Sequence, residues 1–89
     1  MQFAAPTLPD LIGLVGVAMI LAAYFALQSG RASSEDWRFS AINAAGAALI
    51  LVSLAFAFNL ASFVIELSWL AISLFGLWRA RRSAPKPAP

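Results

Sequence analysis

Three long apolar runs, each broken by only a few polar positions, occupy most of the chain. The first extends from Leu11 to Leu27 and ends at Gln28, Ser29 and Gly30, a polar step and a glycine that together favour a helix stop. Pro9 and Asp10 precede it and suit a first helical turn, where proline loses no hydrogen bond and a carboxylate meets the positive end of the helix dipole. A polar loop from Ser29 to Asp36 follows, with Ser33 or Ser34 placed to cap the next helix. The forty residues from Phe39 to Trp78 then hold a single charged side chain, Glu66. One helix of that length would measure about 60 Å, twice a hydrocarbon core about 30 Å thick. The run is therefore expected to fold back on itself at Asn59, Leu60 and Ala61, because Asn tolerates the left-handed conformation that ends helices and Ser62 accepts the amide bonds that begin them.

The pattern predicts an all-α fold, an integral membrane three-helix bundle with transmembrane helices over about 10–28, 37–58 and 62–79 and a tight hairpin between the second and third. Residues 1–82 form a single expected domain. Residues 83–89, with three prolines in seven positions, are expected to be disordered.

Composition strengthens the membrane reading. Apolar residues make up 62% of the chain and charged residues 11%, against roughly 45 to 50% and about 25% in soluble domains. Eighty-nine residues give too small a core to hide that much apolar surface from water. The absence of Cys and His removes thiolate nucleophiles, imidazole bases and the common transition-metal sites, so neither an enzyme nor a cofactor is expected. Glu35 and Asp36, beside Arg31 and Arg38, read as a solvated ion-pair cluster rather than a catalytic pair.

The net charge of +2 is placed for topology. Arg31 and Arg38 flank the first loop, and Arg79, Arg81, Arg82 and Lys86 follow the third apolar run. Three crossings put all six on one side, the cytoplasmic one by the positive-inside rule, with the amino terminus and the Asn59 turn outside. Trp37 and Trp78 fall at the inner ends of their helices, as interfacial anchors do. No basic groove interleaved with aromatics is present to stack bases, so nucleic acid is not an expected partner. A cleaved signal peptide is not expected either, since no basic residue precedes the first run.

Residues three and four apart share a helix face, and each helix carries one stripe of small or polar positions. These are Gly13, Gly16, Ile20, Tyr24 and Leu27 in the first; Asn43, Gly46, Ala47, Ile50, Ser53 and Ala57 in the second; and Ser62, Glu66, Trp69, Ser73 and Gly76 in the third. In lipid, helices associate through close backbone approach over small residues and through interhelical hydrogen bonds. Gly13, Gly16, Tyr24, Gly46 and Gly76 are thus expected at helix contacts, with Tyr24 and Asn43 close enough in depth to bond each other.

Glu66 admits several readings. It is either an interfacial carboxylate near a helix amino terminus, a buried protonated group bonded to Ser53 or Asn59, or part of a polar site for a proton, cation or solute. In the last case Trp69, Ser73, Asn43 and Ser53 are the companion residues.

The ordered set Gly13-x-x-Gly16, Ala23-Tyr24, Asn43-x-x-Gly46, Ser53-Leu54, Phe58-Asn59-Leu60-x-Ser62, Ile65-Glu66-x-x-Trp69 and Ile72-Ser73-x-x-Gly76 resembles a family of small bacterial three-helix membrane proteins known by a locus-tag label beginning with CBU. The resemblance covers about residues 10 to 79 and implies the architecture without an activity. More loosely, the chain resembles the bacterial half-size sugar transporters of the PQ-loop type, three-helix units that dimerise around a central pocket with a polar residue on the third helix. It departs from them in lacking a Pro-Gln pair in the first helix, where Tyr24 stands.

Two functions are consistent with these features. The first is a structural or accessory component of the bacterial inner membrane, associating with itself or a larger complex through its Gly and Ser faces. The alternative is a carrier or channel subunit with a polar pocket around Glu66, which requires at least a dimer because three helices cannot enclose a solute path.

Overall fold

The computed structural model describes residues 5–82, and the tail expected to be disordered lies outside them. Three α-helices make up the fold: α1 (Leu8–Gln28), α2 (Trp37–Leu54) and α3 (Leu60–Arg82). Each is long and apolar enough to cross a membrane. At 1.5 Å per residue they span about 31, 27 and 34 Å, close to the bilayer core.

Local chemistry sets the boundaries. Thr7 caps α1: its hydroxyl accepts from the Asp10 amide at 3.2 Å and the Asp10 carboxylate accepts from the Thr7 amide at 2.9 Å, a reciprocal capping box. This starts α1 two residues earlier than expected. At its other end Arg31 N–H donates to Ala26 O at 2.9 Å and Gly30 N–H to Leu27 O at 3.2 Å, the Schellman pattern that places Gly30 in the left-handed region at φ 78°. Gly30→Ala is expected to lower stability by about 1 kcal/mol through backbone strain alone, since the space around it is open. A denaturant titration in mixed micelles would read it.

Asp36, and not Ser33 or Ser34, caps α2, accepting from the Arg38 amide at 2.9 Å and the Arg38 guanidinium at 3.1 Å. The Arg38 side chain holds the Asp36 carboxyl below the usual carboxylate range. Ser33 instead accepts from the Glu35 amide and shapes the loop.

The largest difference from expectation lies in the second turn. Helix α2 ends at Leu54 rather than near Phe58, and α3 begins at Leu60. Asn59, not Ser62, is the cap: its Oδ1 accepts from the Ser62 amide at 3.0 Å. Phe58 and Phe63 flank that cap with ring centroids 5.5 Å apart, a hydrophobic staple that fixes where the chain enters α3. Pairing Phe58 with α3 draws residues 55–59 out of α2. Asn59 does this without a left-handed backbone, as Gly30 alone has positive φ among the described residues.

Helix α2 is the middle element and packs against both neighbours, while α1 and α3 make no close backbone approach to each other. Its position explains its composition. Its apolar span has the lowest mean hydropathy of the three and the largest share of buried residues, with Ser40, Asn43, Ala44, Gly46 and Ala47 all buried.

Candidate functional site

The α1–α2 contact is built on two glycines. A Cβ on Gly16 would stand 2.5 Å from the Gly46 carbonyl oxygen, and one on Gly46 would stand 2.8 Å from the Gly16 carbonyl oxygen. Backbone faces backbone there, the close approach that small residues permit in lipid. Gly13 lies against Ser53, whose Oγ would be 2.7 Å from an added Cβ. Ser53 therefore belongs to the α1 side of α2, in a shallow groove with Pro6, Asp10, Gly13 and Ile50. It does not join Glu66.

Tyr24 is a second correction. It is 50% exposed and Ala23 is buried in its place, so the contact face of α1 follows Gly13, Gly16 and Ala23. The Tyr24 hydroxyl accepts from Gln28 Nε2 at 3.1 Å, one turn along its own helix, and makes no bond to Asn43. A tyrosine's polar tip is better accommodated near the membrane interface than between two helices.

Asn43 is bonded on the opposite side. Its Oδ1 accepts from Trp69 Nε1 at 3.1 Å and its Nδ2 donates to the Phe39 carbonyl at 2.8 Å. The Trp69 bond links α2 to α3 across 26 positions of sequence. Lower on the same contact, Gly76 lies against Ser40, with Oγ 2.7 Å from the position of an added Cβ. Ser73 is buried on α3. Sequence reasoning placed Asn43, Trp69, Ser73 and Gly76 on facing stripes and missed Ser40. The signal for Ser40 was its spacing of three from Asn43.

Glu66 stands apart from these pairs. It lies six residues into α3, beyond the first turn in which the helix dipole acts, so the interfacial reading loses its main support. Neither Ser53 nor Asn59 bonds it: the first faces Gly13 and the second caps α3. One carboxyl oxygen, Oε2, is sealed from solvent with no hydrogen-bond partner, the only such side-chain atom among the described residues. The residue as a whole keeps part of its surface exposed.

No curated protein and no solved structure matches the chain, and these comparisons lend the likeness to half-size transporters no support. A family model does match, over residues 9–84. That stretch contains all three helices apart from Leu8, together with Gly16, Gly46, the Asn43–Trp69 bond and Glu66. With the same ordered motifs read from the residues themselves, the chain belongs to that family, which carries a locus-tag label and no assigned activity.

Proposed function

We propose that this chain is a small integral protein of the bacterial inner membrane that acts as a structural or accessory component, associating laterally with copies of itself or with a larger membrane complex. One observation carries the reading: apart from Glu66, the small and polar residues that meet along the helix stripes find their contacts inside the chain. Gly16 meets Gly46, Gly13 meets Ser53, Gly76 meets Ser40, and Asn43 holds Trp69. Lateral association therefore falls to the outward apolar faces rather than to the Gly and Ser stripes. Those faces are extensive and include Leu14, Leu21, Phe25, Val52, Ile65, Ile72 and Phe75, all exposed.

The orientation follows from charge. Arg31, Arg38, Arg79, Arg81 and Arg82 lie at one end of the antiparallel helices, and the turn at residues 55–59 lies at the other. The basic end faces the cytoplasm in this reading. Because the chain has no cysteine, single substitutions report topology directly. Ala57→Cys is expected to react with a membrane-impermeant maleimide on intact spheroplasts and Ser33→Cys only after lysis. The opposite pattern would invert the orientation, and equal labelling of both would remove the membrane-spanning arrangement. Purification in native nanodiscs should then give a particle larger than one chain, and a monodisperse monomer would overturn the accessory reading.

A second reading, a carrier or channel subunit with a polar site around Glu66, is favoured by the unpaired Oε2. Among its expected companions, Asn43 and Trp69 are already bonded to each other and Ser53 faces α1.

A further inference from the structure

Among the described residues, Glu66 Oε2 is the one buried side-chain polar atom without a hydrogen-bond partner. Its nearest candidate donor on the same helix face is Trp69, three residues along α3, yet the single indole N–H of Trp69 is committed to Asn43 Oδ1. The Asn43 amide in turn donates to the Phe39 carbonyl. The Asn59 carboxamide oxygen accepts from the Ser62 amide at the start of α3. Neither these groups nor the Ser62 and Ser73 hydroxyls of the same stripe give Glu66 Oε2 a hydrogen bond.

Among the described residues no cation compensates it. The antiparallel contacts of Ser40 with Gly76 and of Asn43 with Trp69 set Glu66 opposite the turn of α2 at residues 46–50, where every side chain is apolar or absent. The only charged side chain on α2 is Arg38, at least eight residues and about 12 Å further along the axis, and it is paired with Asp36 at 3.1 Å. On α3 the nearest is Arg79, thirteen residues and about 20 Å away. Helix α1, with Asp10 and Tyr24, makes no close backbone approach to α3.

An ionised carboxylate needs donors or a cation on each oxygen at this depth, because lipid offers neither. A neutral carboxylic acid needs far less. We propose that Glu66 is a proton-binding site at membrane depth: its carboxyl carries a proton at neutral pH, with Oε2 sealed in the helix contact and the rest of the group open to species that travel in the lipid phase. The ligand is the proton itself. The proposal rests on the membrane-spanning reading but not on the carrier reading, since an accessory protein can also hold or exchange a proton with its partner.

A protonated carboxyl in lipid has a specific reactivity. An apolar carbodiimide such as dicyclohexylcarbodiimide takes up the acid proton on one nitrogen while a carboxyl oxygen forms a new C–O bond to the central carbon. The O-acylisourea so formed rearranges, by acyl transfer from oxygen to nitrogen, to a stable N-acylurea, with no atom lost. The test is peptide mass spectrometry of the full chain in lipid nanodiscs treated with this reagent between pH 5 and 7, with a water-soluble glutamate peptide added to the same sample as the comparison. The Glu66 adduct is expected to form at a nearly constant rate across this range. The rate for the added peptide should fall about 100-fold, as a free carboxylic acid above its pKa loses about tenfold of its protonated form per pH unit.

Glu66→Gln should abolish the adduct while leaving helicity and particle size unchanged. A Glu66 rate that tracks that of the added glutamate peptide, or no adduct at Glu66 at pH 7 in a preparation that retains native helicity, would overturn the proposal. The spheroplast labelling of Ala57→Cys and Ser33→Cys reports separately on membrane spanning, so failure of that reading is not mistaken for failure of this one.

Discussion

Gly46→Val and Gly16→Val are expected to separate α1 from α2, and the corresponding alanine variants to cost about 1 to 3 kcal/mol each, the range for overpacking a close contact. The obstacle in both cases is backbone. An added Cβ at Gly16 meets the Gly46 carbonyl oxygen at 2.5 Å and the Ile50 Cγ1 at 2.9 Å, and one at Gly46 meets the Gly16 carbonyl at 2.8 Å and the Ile20 Cγ1 at 2.9 Å. A carbonyl held in its own helix cannot rotate aside, so the helices must part. Gly76→Ala is the informative contrast. There the nearest atom is the Ser40 Oγ at 2.7 Å, while its Cβ is already 3.6 Å away, and rotation of the hydroxyl relieves the contact. Reversible unfolding in mixed micelles should rank Gly16→Ala and Gly46→Ala well below Gly76→Ala in stability. Equal losses at the three positions would show that the α1–α2 approach is looser than the structure has it.

Asn43→Leu is expected to loosen α3, because it removes the acceptor of the Trp69 indole and the interhelical bond with it. The cost should be about 1 to 3 kcal/mol, the range for leaving a buried donor unpaired; interhelical bonds in membrane proteins average nearer 0.6 kcal/mol. The partial exposure of Trp69, 40%, argues for the lower part of that range. Trp69→Phe should cost a similar amount, and the double variant Asn43→Leu with Trp69→Phe less than the sum of the two, since the bond can be lost only once. Strict additivity would mean that the pair does not couple α2 to α3 in the membrane. Faster hydrogen exchange at the Trp69 indole in Asn43→Leu gives a local readout that a change of global stability alone does not supply.

Several features were legible along the chain because they depend on near neighbours. Helix number and approximate length follow from the apolar runs, and the Gly30 stop from a single residue able to take positive φ. Three caps were legible in principle: the one at Thr7 was missed, and those of α2 and α3 were misassigned. Thr7 with Asp10 three residues later is a capping-box spacing, Asp36 directly precedes Trp37, and Phe58-Asn59 with Phe63 is a staple around a cap. All are local signals; the apolar run begins inside α1 at Leu11 and continues past the end of α2, so it does not mark the true helix ends.

The partner of each polar residue was harder to foresee. Tyr24 and Asn43 are close in expected depth, and so are Ser53 and Glu66, but depth is one coordinate of three. Rotation of each helix about its axis sends Tyr24 to an exposed position, Ser53 to α1 and Asn43 to α3. That rotation is fixed by glycine contacts that form only when two helices meet.

By itself, the sequence determined the helical, membrane-compatible architecture, the basic end of the molecule and the isolation of Glu66 among apolar residues, because composition and short-range spacing suffice for each. Only the tertiary structure decided that α2 lies between its neighbours, that the indole of Trp69 is spent on Asn43, and that one oxygen of Glu66 is sealed without a donor. Those outcomes depend on which faces of rigid helices come together, and a face is shared between chain segments far apart in sequence.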